Sequence, residues 1–253
     1  CMKQVPDTEI KIGVKDGKLQ IAEDAKYIIN PFDEYAIEEA LQIKEKLGEG
    51  RITVLSVGPE RVKEAIRGAY ALGVDEAIHL KDEAFENLDS FSTALVLKKA
   101  IEKLDFDLII CGREGADFDV GQTPIALAEM LGIPHINAVV KQELLHDKIR
   151  CKRVIEGGKE IVEAKLPALF TTAQGINEPR YPPLIGIMRA KKRPITEWGL
   201  SDVGLTSDEV DAKMEYLEFS LPPQREAGRI IEGTTEDKVK ELIRVMREEI
   251  KVI

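Results

Sequence analysis

The sequence predicts an α/β fold in which a mostly parallel sheet carries helices on both faces. Three observations predict it. Short apolar runs typical of buried strands alternate with segments of helical periodicity along the first half of the chain. A glycine-rich turn, residues 111–124, joins one such strand to the next helix. A stretch of alternating apolar and polar residues, 135–164, then adds a β-hairpin excursion to the βα order.

Composition excludes several classes of protein. The 253 residues carry a net charge of −10, which argues against a nucleic-acid partner. No apolar run approaches the roughly 20 residues that a membrane span needs. The three cysteines, Cys1, Cys111 and Cys151, have neither metal-site nor disulfide-framework spacing, so we expect no metal site and a cytoplasmic location. Because Cys1 falls inside a predicted strand, we also expect a few residues to precede it.

The chain opens with the predicted end of a first strand, Cys1–Val5, and a turn at residues 6–8. Residues 10–21 alternate around Asp16-Gly17 and predict a hairpin. A helix then begins at Asn30-Pro31-Phe32-Asp33 and ends at Gly48. We expect Asn30 to cap this helix and Asp33 to complete the capping arrangement.

The following elements alternate regularly. Strands are predicted at 52–57, 77–80, 107–111 and 167–172, and helices after Gly58-Pro59 to about Gly73, at 90–104 and at 124–131. Turn signals at 146–147 and 157–158 divide the excursion into hairpins.

The glycine-rich turn suits a phosphate, because a turn from strand to helix presents backbone N–H groups at the positive end of the helix. Its glycines, at 112, 115 and 121, permit close backbone approach. The alternative is an ordinary βα turn. The sequence has no catalytic motif such as a nucleophile elbow, a Walker loop or a zinc-binding helix, which indicates a protein that holds a nucleotide and is not by itself an enzyme.

The C-terminal part has a different composition. Residues 177–185 are too rich in proline for regular structure, and a basic cluster follows at 188–193. No continuous core pattern is expected over 194–228, and an amphipathic helix is predicted from Thr234 or Thr235 to about Lys251. We therefore predict an α/β domain over 1–193 and a C-terminal arm over 194–253 that packs on a partner chain; packing on its own domain is the alternative.

Seven motifs, in order along the chain, give it a resemblance to a known family. They are Lys3-Gln4-Val5-Pro6-Asp7-Thr8; Asn30-Pro31-Phe32-Asp33-Glu34 with Ala36 and Glu38-Glu39-Ala40; Gly58-Pro59; Gly112-Arg113 with Asp117, Asp119 and Gln122; Glu156-Gly157-Gly158; Leu166-Pro167-Ala168; and Asn177-Glu178-Pro179-Arg180-Tyr181 with Met188, Ala190-Lys191-Lys192 and Pro194-Ile195. With these the chain resembles the β subunit of electron transfer flavoprotein over essentially its whole length.

The resemblance implies a fold of the adenine-nucleotide α-hydrolase-like type and a heterodimer with an α subunit that holds most of an FAD. The C-terminal arm would wrap that α subunit. The β subunit would hold AMP, or a second FAD in electron-bifurcating members. The nucleotide-binding residues carried over by position are Cys1, Asn30, Pro31, Phe32, Asp33, Val57, Gly112, Gly115, Ala116, Asp117, Phe118, Asp119, Val120, Gly121, Gln122 and Thr123, and Thr8 would approach the α-bound flavin.

The resemblance also implies a recognition loop at 180–192 that docks flavin-containing dehydrogenases, with Leu184 as its apolar anchor. The residues expected to contact such partners are Tyr181, Leu184, Ile185, Met188, Arg189, Lys191 and Lys192. Electrons would then pass to the shared FAD and on to an acceptor such as a membrane quinone reductase.

Some residues depart from the family pattern. Phe118 and Val120 stand where bifurcating relatives often have small or hydroxyl residues, which favours AMP slightly over a second FAD. The opening motif Lys-Gln-Val-Pro-Asp-Thr is similar to relatives from anaerobes and favours FAD. Two other functions stay open: a subunit of an electron-bifurcating, NADH-oxidising complex, and a stand-alone nucleotide sensor of the universal-stress type, against which the long arm argues.

Overall fold

A computed structural model describes residues 1–223 and 227–253 of the chain. These residues form two compact units. The first comprises Cys1–Ile12 and Gln20–Leu217, and the second comprises Gly13–Leu19 and Glu218–Ile253. Each unit is described by itself below.

The described residues contain twelve strands and eight α-helices. The strands are β1 (Gln4–Pro6), β2 (Gly13–Lys15), β3 (Lys18–Gln20), β4 (Tyr27–Ile29), β5 (Thr53–Val57), β6 (Glu76–Leu80), β7 (Leu108–Gly112), β8 (His135–Leu144), β9 (Lys148–Ile155), β10 (Gly158–Lys165), β11 (Ala168–Thr172) and β12 (Thr196–Trp198). The helices are α1 (Pro31–Leu47), α2 (Val62–Leu72), α3 (Ser90–Ile101), α4 (Thr123–Leu131), α5 (Leu184–Ala190), α6 (Leu200–Val203), α7 (Ser207–Val210) and α8 (Thr235–Arg244). A short 3-10 turn occupies Glu83–Phe85, and a π-helical turn, Val245–Glu249, continues α8.

The first unit contains two main sheets. One is parallel, in the order β12-β6-β5, and the other has the order β10-β9-β8-β11-β7, with β8, β11 and β7 parallel and the β9 and β10 pairings antiparallel. The first residues of the chain lie between them. The backbone nitrogen of Cys1 donates to the Ile110 oxygen of β7, and that of Met2 donates to the Leu55 oxygen of β5, both at 2.9 Å.

Helices cover both faces of this arrangement. Val54 packs with α1 and α2, whereas its neighbour Leu55 packs with α3 and α4. Successive residues of a strand point to opposite faces, so the two helix pairs lie on opposite sides. The predicted α/β fold with its hairpin excursion, β8 to β10, is confirmed.

The start of the chain differs from the prediction. Of the predicted strand Cys1–Val5, only the end pairs with another strand, as part of β1. Its partner is β4, which is antiparallel to it and which the sequence analysis did not identify. Residues 1 and 2 bond to the two sheets, whereas Gln4 to Pro6 pair with Ile29 to Tyr27. Val5 is fully buried in this small ladder.

Residues 194–217 contain more core than expected. Strand β12 extends the parallel sheet beside β6, and Val203, Leu205 and Val210 are buried in the cluster that also covers α3 and α4. The expectation of no core pattern from 194 to 228 is therefore wrong for this part. Each of these apolar residues stands alone among polar or glycine neighbours, so the sequence shows no apolar periodicity that would predict their burial.

The second unit contains the predicted hairpin and the predicted last helix. The hairpin pairs β2 with β3 across Asp16 and Gly17, which both have positive φ, of 52° and 70°. Helix α8 begins after Thr234, whose side chain accepts a hydrogen bond from the Asp237 nitrogen. Within residues 1–223 and 227–253, no helix combines the length and apolar character that a bilayer crossing requires.

Candidate functional site

Asn30 joins the glycine-rich turn to the start of α1. It is 1% exposed. Its Nδ2 donates to the Glu114 oxygen at 2.9 Å, and its Oδ1 accepts from the Ala116 nitrogen at 3.0 Å. Its side chain makes no capping bond to α1. Asn30 therefore occupies the N-cap position of α1 as expected, but its side chain does not supply the capping bond, because both polar atoms of its amide bond to the turn.

Asp33 makes a second connection. Its Oδ2 accepts from the Lys3 nitrogen at 2.6 Å, and its Oδ1 accepts from the Gly112 nitrogen at 2.9 Å. The carboxylate thus joins α1 to the first residues of the chain and to the end of β7, and it does not complete a cap as expected. Burial raises the pKa of Asp33 to about 6, although the hydrogen bonds from the backbone N–H groups of Lys3 and Gly112 act in the opposite direction.

Two glycines of this region have no room for a side chain. A Cβ at Gly112 would lie 2.3 Å from Asp33 Oδ1 and 2.8 Å from the carbonyl carbon of Phe32. A Cβ at Gly115 would lie 2.5 Å from Asp117 Oδ1. A larger residue at Gly112 would push the start of α1 away from the end of β7, and one at Gly115 would displace the Asp117 carboxylate within the turn.

The turn presents backbone donors at the start of α4. Phe118 and Asp119 donate their N–H groups to the Gly115 oxygen, at 3.3 and 2.8 Å, which leaves the Asp119 N–H engaged within the turn. The N–H groups of Val120, Gly121, Gln122 and Thr123 have no acceptor among the described residues. Unpaired donors at the positive end of a nine-residue helix favour an anion.

Charged side chains of both signs meet at the glycine-rich turn. Lys3 Nζ lies 2.5 Å from Asp117 Oδ2 and 5.6 Å from the centre of the Phe118 ring. The Phe118 ring stacks on Tyr216, with ring centres 5.4 Å apart. Sequence reasoning missed Lys3 and Tyr216, because no local pattern relates either residue to a turn so distant along the chain.

Of the remaining residues predicted to bind a nucleotide, four lie close to β5, β7 or the start of α1, and Thr8 has no bond to the glycine-rich turn in the part of the chain that the structure describes. Cys1 and Val57 pack against the same apolar cluster, beside β7 and at the end of β5, and Pro31 and Phe32 begin α1 next to the turn. Thr8 is exposed in the turn after β1 and makes no hydrogen bond to the glycine-rich turn within the described residues. No cluster of three or more His, Cys, Asp or Glu side chains suited to a metal ion occurs in the same residues.

A cavity of about 610 Å³ lies next to Val57, at the carboxyl ends of β5 and β6. Its lining residues are Gly58, Pro59, Glu60, Lys81, Asp82, Glu83, Phe85 and Glu86. Four carboxylates against one ammonium group make this wall unfavourable for a phosphate. The unpaired donors at 120–123 are the better anion site.

The predicted recognition loop contains a short helix, α5, that proline-based reasoning missed. Pro183 ends an extended segment, and the helix begins directly after it at Leu184. Tyr181 is 95% exposed and Leu184 74%, and Ile185 and Met188 are also largely exposed. Arg189, Lys191 and Lys192 are exposed as well and make no ion pair among the described residues. We call these seven residues the docking face, after the partner contact that the sequence analysis expects of them.

Helix α5 packs on α2 through a close backbone contact. A Cβ at Gly186 would lie 2.3 Å from the Ala71 oxygen. At the far end of α5, Arg67 Nη1 donates to the Ala190 oxygen at 2.7 Å, and the Tyr70 hydroxyl donates to the Pro194 oxygen at 2.7 Å. The docking face is thus held by α2, whereas the glycine-rich turn is held by the start of α1.

Comparison with known proteins identifies the family. A sequence profile described as the electron transfer flavoprotein domain matches residues 18–203. The chain is 42% identical to the electron transfer flavoprotein β subunit of Bacillus subtilis, over all of this chain and 98% of the relative. It is 38% identical to that of Syntrophomonas wolfei, over all of this chain and 96% of the relative. It is 36% identical to a subunit of the caffeyl-CoA reductase–Etf complex of Acetobacterium woodii, over 94% and 93% of the two chains.

The chain therefore belongs to the electron transfer flavoprotein family. Within that family it is a β subunit, because it matches β subunits along their full length. It is accordingly an electron-carrier subunit of a flavoprotein, and its partner is an α subunit.

Asn30→Asp distinguishes the observed connection from a helix cap. Aspartate caps helices as well as asparagine does, but it cannot donate to the Glu114 oxygen and would place two oxygens against each other. We expect the free energy of unfolding to fall by about 3 kcal/mol, measured by denaturant titration. Asn87→Asp, at an exposed asparagine, controls for the added charge. Equal stability of the two variants would mean that Asn30 acts only as a cap.

Proposed function

We propose that this β subunit binds an adenine nucleotide at the glycine-rich turn. The observation that supports it most is the set of unpaired N–H groups at 120–123, which would hold the phosphate. Asn30 and Asp33 keep the turn against α1, and so hold those donors in place before the ligand arrives. Cys1, beside β7, and Val57, at the end of β5, would contact the base and ribose.

AMP is the favoured nucleotide, with a second FAD as the alternative. The stacked rings of Phe118 and Tyr216 add bulk beside the turn, and a smaller ligand needs less of that space. The shared FAD would be held mainly by the α subunit, with Thr8 approaching it. This subunit would complete that flavin site and pass electrons between protein partners. It would do so in the cytoplasm.

The docking face would bind flavin-containing dehydrogenases. Exposed Tyr181 and Leu184 offer apolar anchors, and the unpaired cations at 189, 191 and 192 would steer an acidic partner. Electrons would move from the dehydrogenase flavin to the shared FAD, and then to an acceptor such as a quinone reductase.

The C-terminal arm, predicted over 194–253, would wrap the α subunit. Val239, Leu242 and Ile243 of α8 are about half exposed, and so is Ile250, which directly follows the π-helical turn. An amphipathic helix with its apolar side so exposed is suited to packing on another chain. The proposed contact is therefore made by this helix.

A second candidate is a subunit of an electron-bifurcating complex that oxidises NADH. One observation favours it: the relative from Acetobacterium woodii is named as a subunit of a reductase complex. This candidate requires two FAD molecules per heterodimer.

Gly121→Val tests the phosphate site. Gly121 has a φ of +62°, and its Cβ would lie 3.2 Å from the Arg113 oxygen, so a branched side chain would distort the donors. We expect most of the bound nucleotide to be lost from the purified heterodimer, as measured by chromatography of the released nucleotides. Gly132→Val is the matched control, since Gly132 has a φ of +67° at the other end of α4 with nothing within 4 Å. Nucleotide retained equally by both variants would contradict the assignment.

Leu184→Ala tests the docking face. Removing an exposed apolar anchor should raise the KM of a dehydrogenase for this flavoprotein by roughly tenfold and leave its FAD content unchanged. The probe is a flavin-containing dehydrogenase that reduces the wild-type heterodimer, followed by flavin absorbance. Ile161→Ala is the control, because Ile161 is 69% exposed on β10, away from the docking face. Identical kinetics for the two variants would rule out docking through Leu184.

A further inference from the structure

Arg180 lies immediately before the docking face, and its side chain bonds to helix α1. Its Nε donates to Glu38 Oε2 at 2.7 Å and its Nη2 to Glu38 Oε1 at 3.0 Å. Its Nη1 donates to Glu45 Oε1 at 2.6 Å. Both carboxylates belong to α1, so one guanidinium spans about two turns of that helix.

This contact is stronger than an ordinary surface ion pair. Glu38 is only 5% exposed, and it is bound through two parallel hydrogen bonds, the geometry in which arginine binds carboxylates best. Although burial raises the pKa of Glu38, the hydrogen bonds from Arg180 and Gln42 hold it below its usual value. The pair therefore stays charged and closed near neutral pH.

A neighbouring residue fastens the same segment to α1. Asn177 Nδ2 donates to the Tyr35 oxygen at 3.0 Å and to Glu39 Oε2 at 2.8 Å. The segment from 177 to 180 is thus fixed to α1, and α5 is fixed to α2. Only residues 181–183 lie between the two anchored parts, and two of these three are prolines, which restricts their backbone.

We propose that Arg180 is a positioning residue for partner docking: its contacts with Glu38 and Glu45 fix the chain before α5, so that Tyr181 and Leu184 are presented in one conformation. The inference rests on the proposed docking function. Arg180 does not itself contact the partner, because its charge is already engaged by α1. Its role is therefore distinct from steering by Arg189, Lys191 and Lys192.

This role has a specific kinetic consequence. A docking face that is ordered before binding avoids the entropy loss of ordering it in the complex. Loss of the anchor should thus weaken docking without changing electron transfer in the docked complex. Because steering charges stay in place, the dependence of the association on salt should also stay the same.

The test uses the heterodimer with Arg180→Met combined with Glu38→Gln. The double variant removes the anchor without leaving a buried charge unpaired, which keeps the fold intact. Arg153→Met with Glu160→Gln is the matched control, because Arg153 Nε donates to Glu160 Oε1 at 2.6 Å on the exposed β9–β10 hairpin. Two readouts are combined: hydrogen exchange of peptides over 178–190, and kinetics with a dehydrogenase that reduces the wild-type heterodimer.

We expect faster exchange over 178–190 and a KM raised on the order of tenfold, with kcat and the salt dependence unchanged and the control like wild type. Exchange and KM equal to those of the control would overturn the inference. Faster exchange with an unchanged KM would also overturn it, provided that Leu184→Ala raises KM. A weakened salt dependence would assign Arg180 to direct contact with the partner instead. An unchanged KM for Leu184→Ala would refute the docking function itself.

Discussion

The buried carboxylate of Asp33 is the interaction on which the candidate site depends. It accepts hydrogen bonds from Lys3 and Gly112, and so brings the beginning of the chain, the end of β7 and the start of α1 to one point. Asn30 extends the same connection into the glycine-rich turn. These side chains hold the turn from one side, and the backbone N–H groups at 120–123 have no acceptor within residues 1–223 and 227–253.

Helix α1 connects the two candidate functional regions of the subunit. Its first turn holds the glycine-rich turn, and Glu38 and Glu45, further along, hold Arg180 before the docking face. The helix is buried on its inner side through Ile37 and Leu41, so it is a rigid support for both regions. With the proposed assignments, a nucleotide at the glycine-rich turn and a partner at the docking face would occupy separate surfaces that share one helix.

The sequence was sufficient to predict the fold and much less sufficient for the contacts. The strand predicted at 52–57 and the hairpins predicted in the excursion are confirmed, because both depend on local sequence patterns. Asn30 and Asp33 were placed correctly next to a helix start, but their side chains bond to residues far along the chain, and capping propensity could not indicate that. The short helix α5 was missed because its stability comes from close packing of Gly186 on α2, a tertiary effect that a proline-rich sequence hides.

The most direct test of the central claim is the nucleotide content of the heterodimer purified after co-expression with its α subunit. The nucleotides released on denaturation are separated and counted against protein. We expect AMP in addition to the shared FAD, with about one of each per heterodimer. A second FAD in place of AMP would keep the site and select the bifurcating candidate. The absence of any adenine nucleotide beyond the shared FAD would contradict the assignment of the glycine-rich turn.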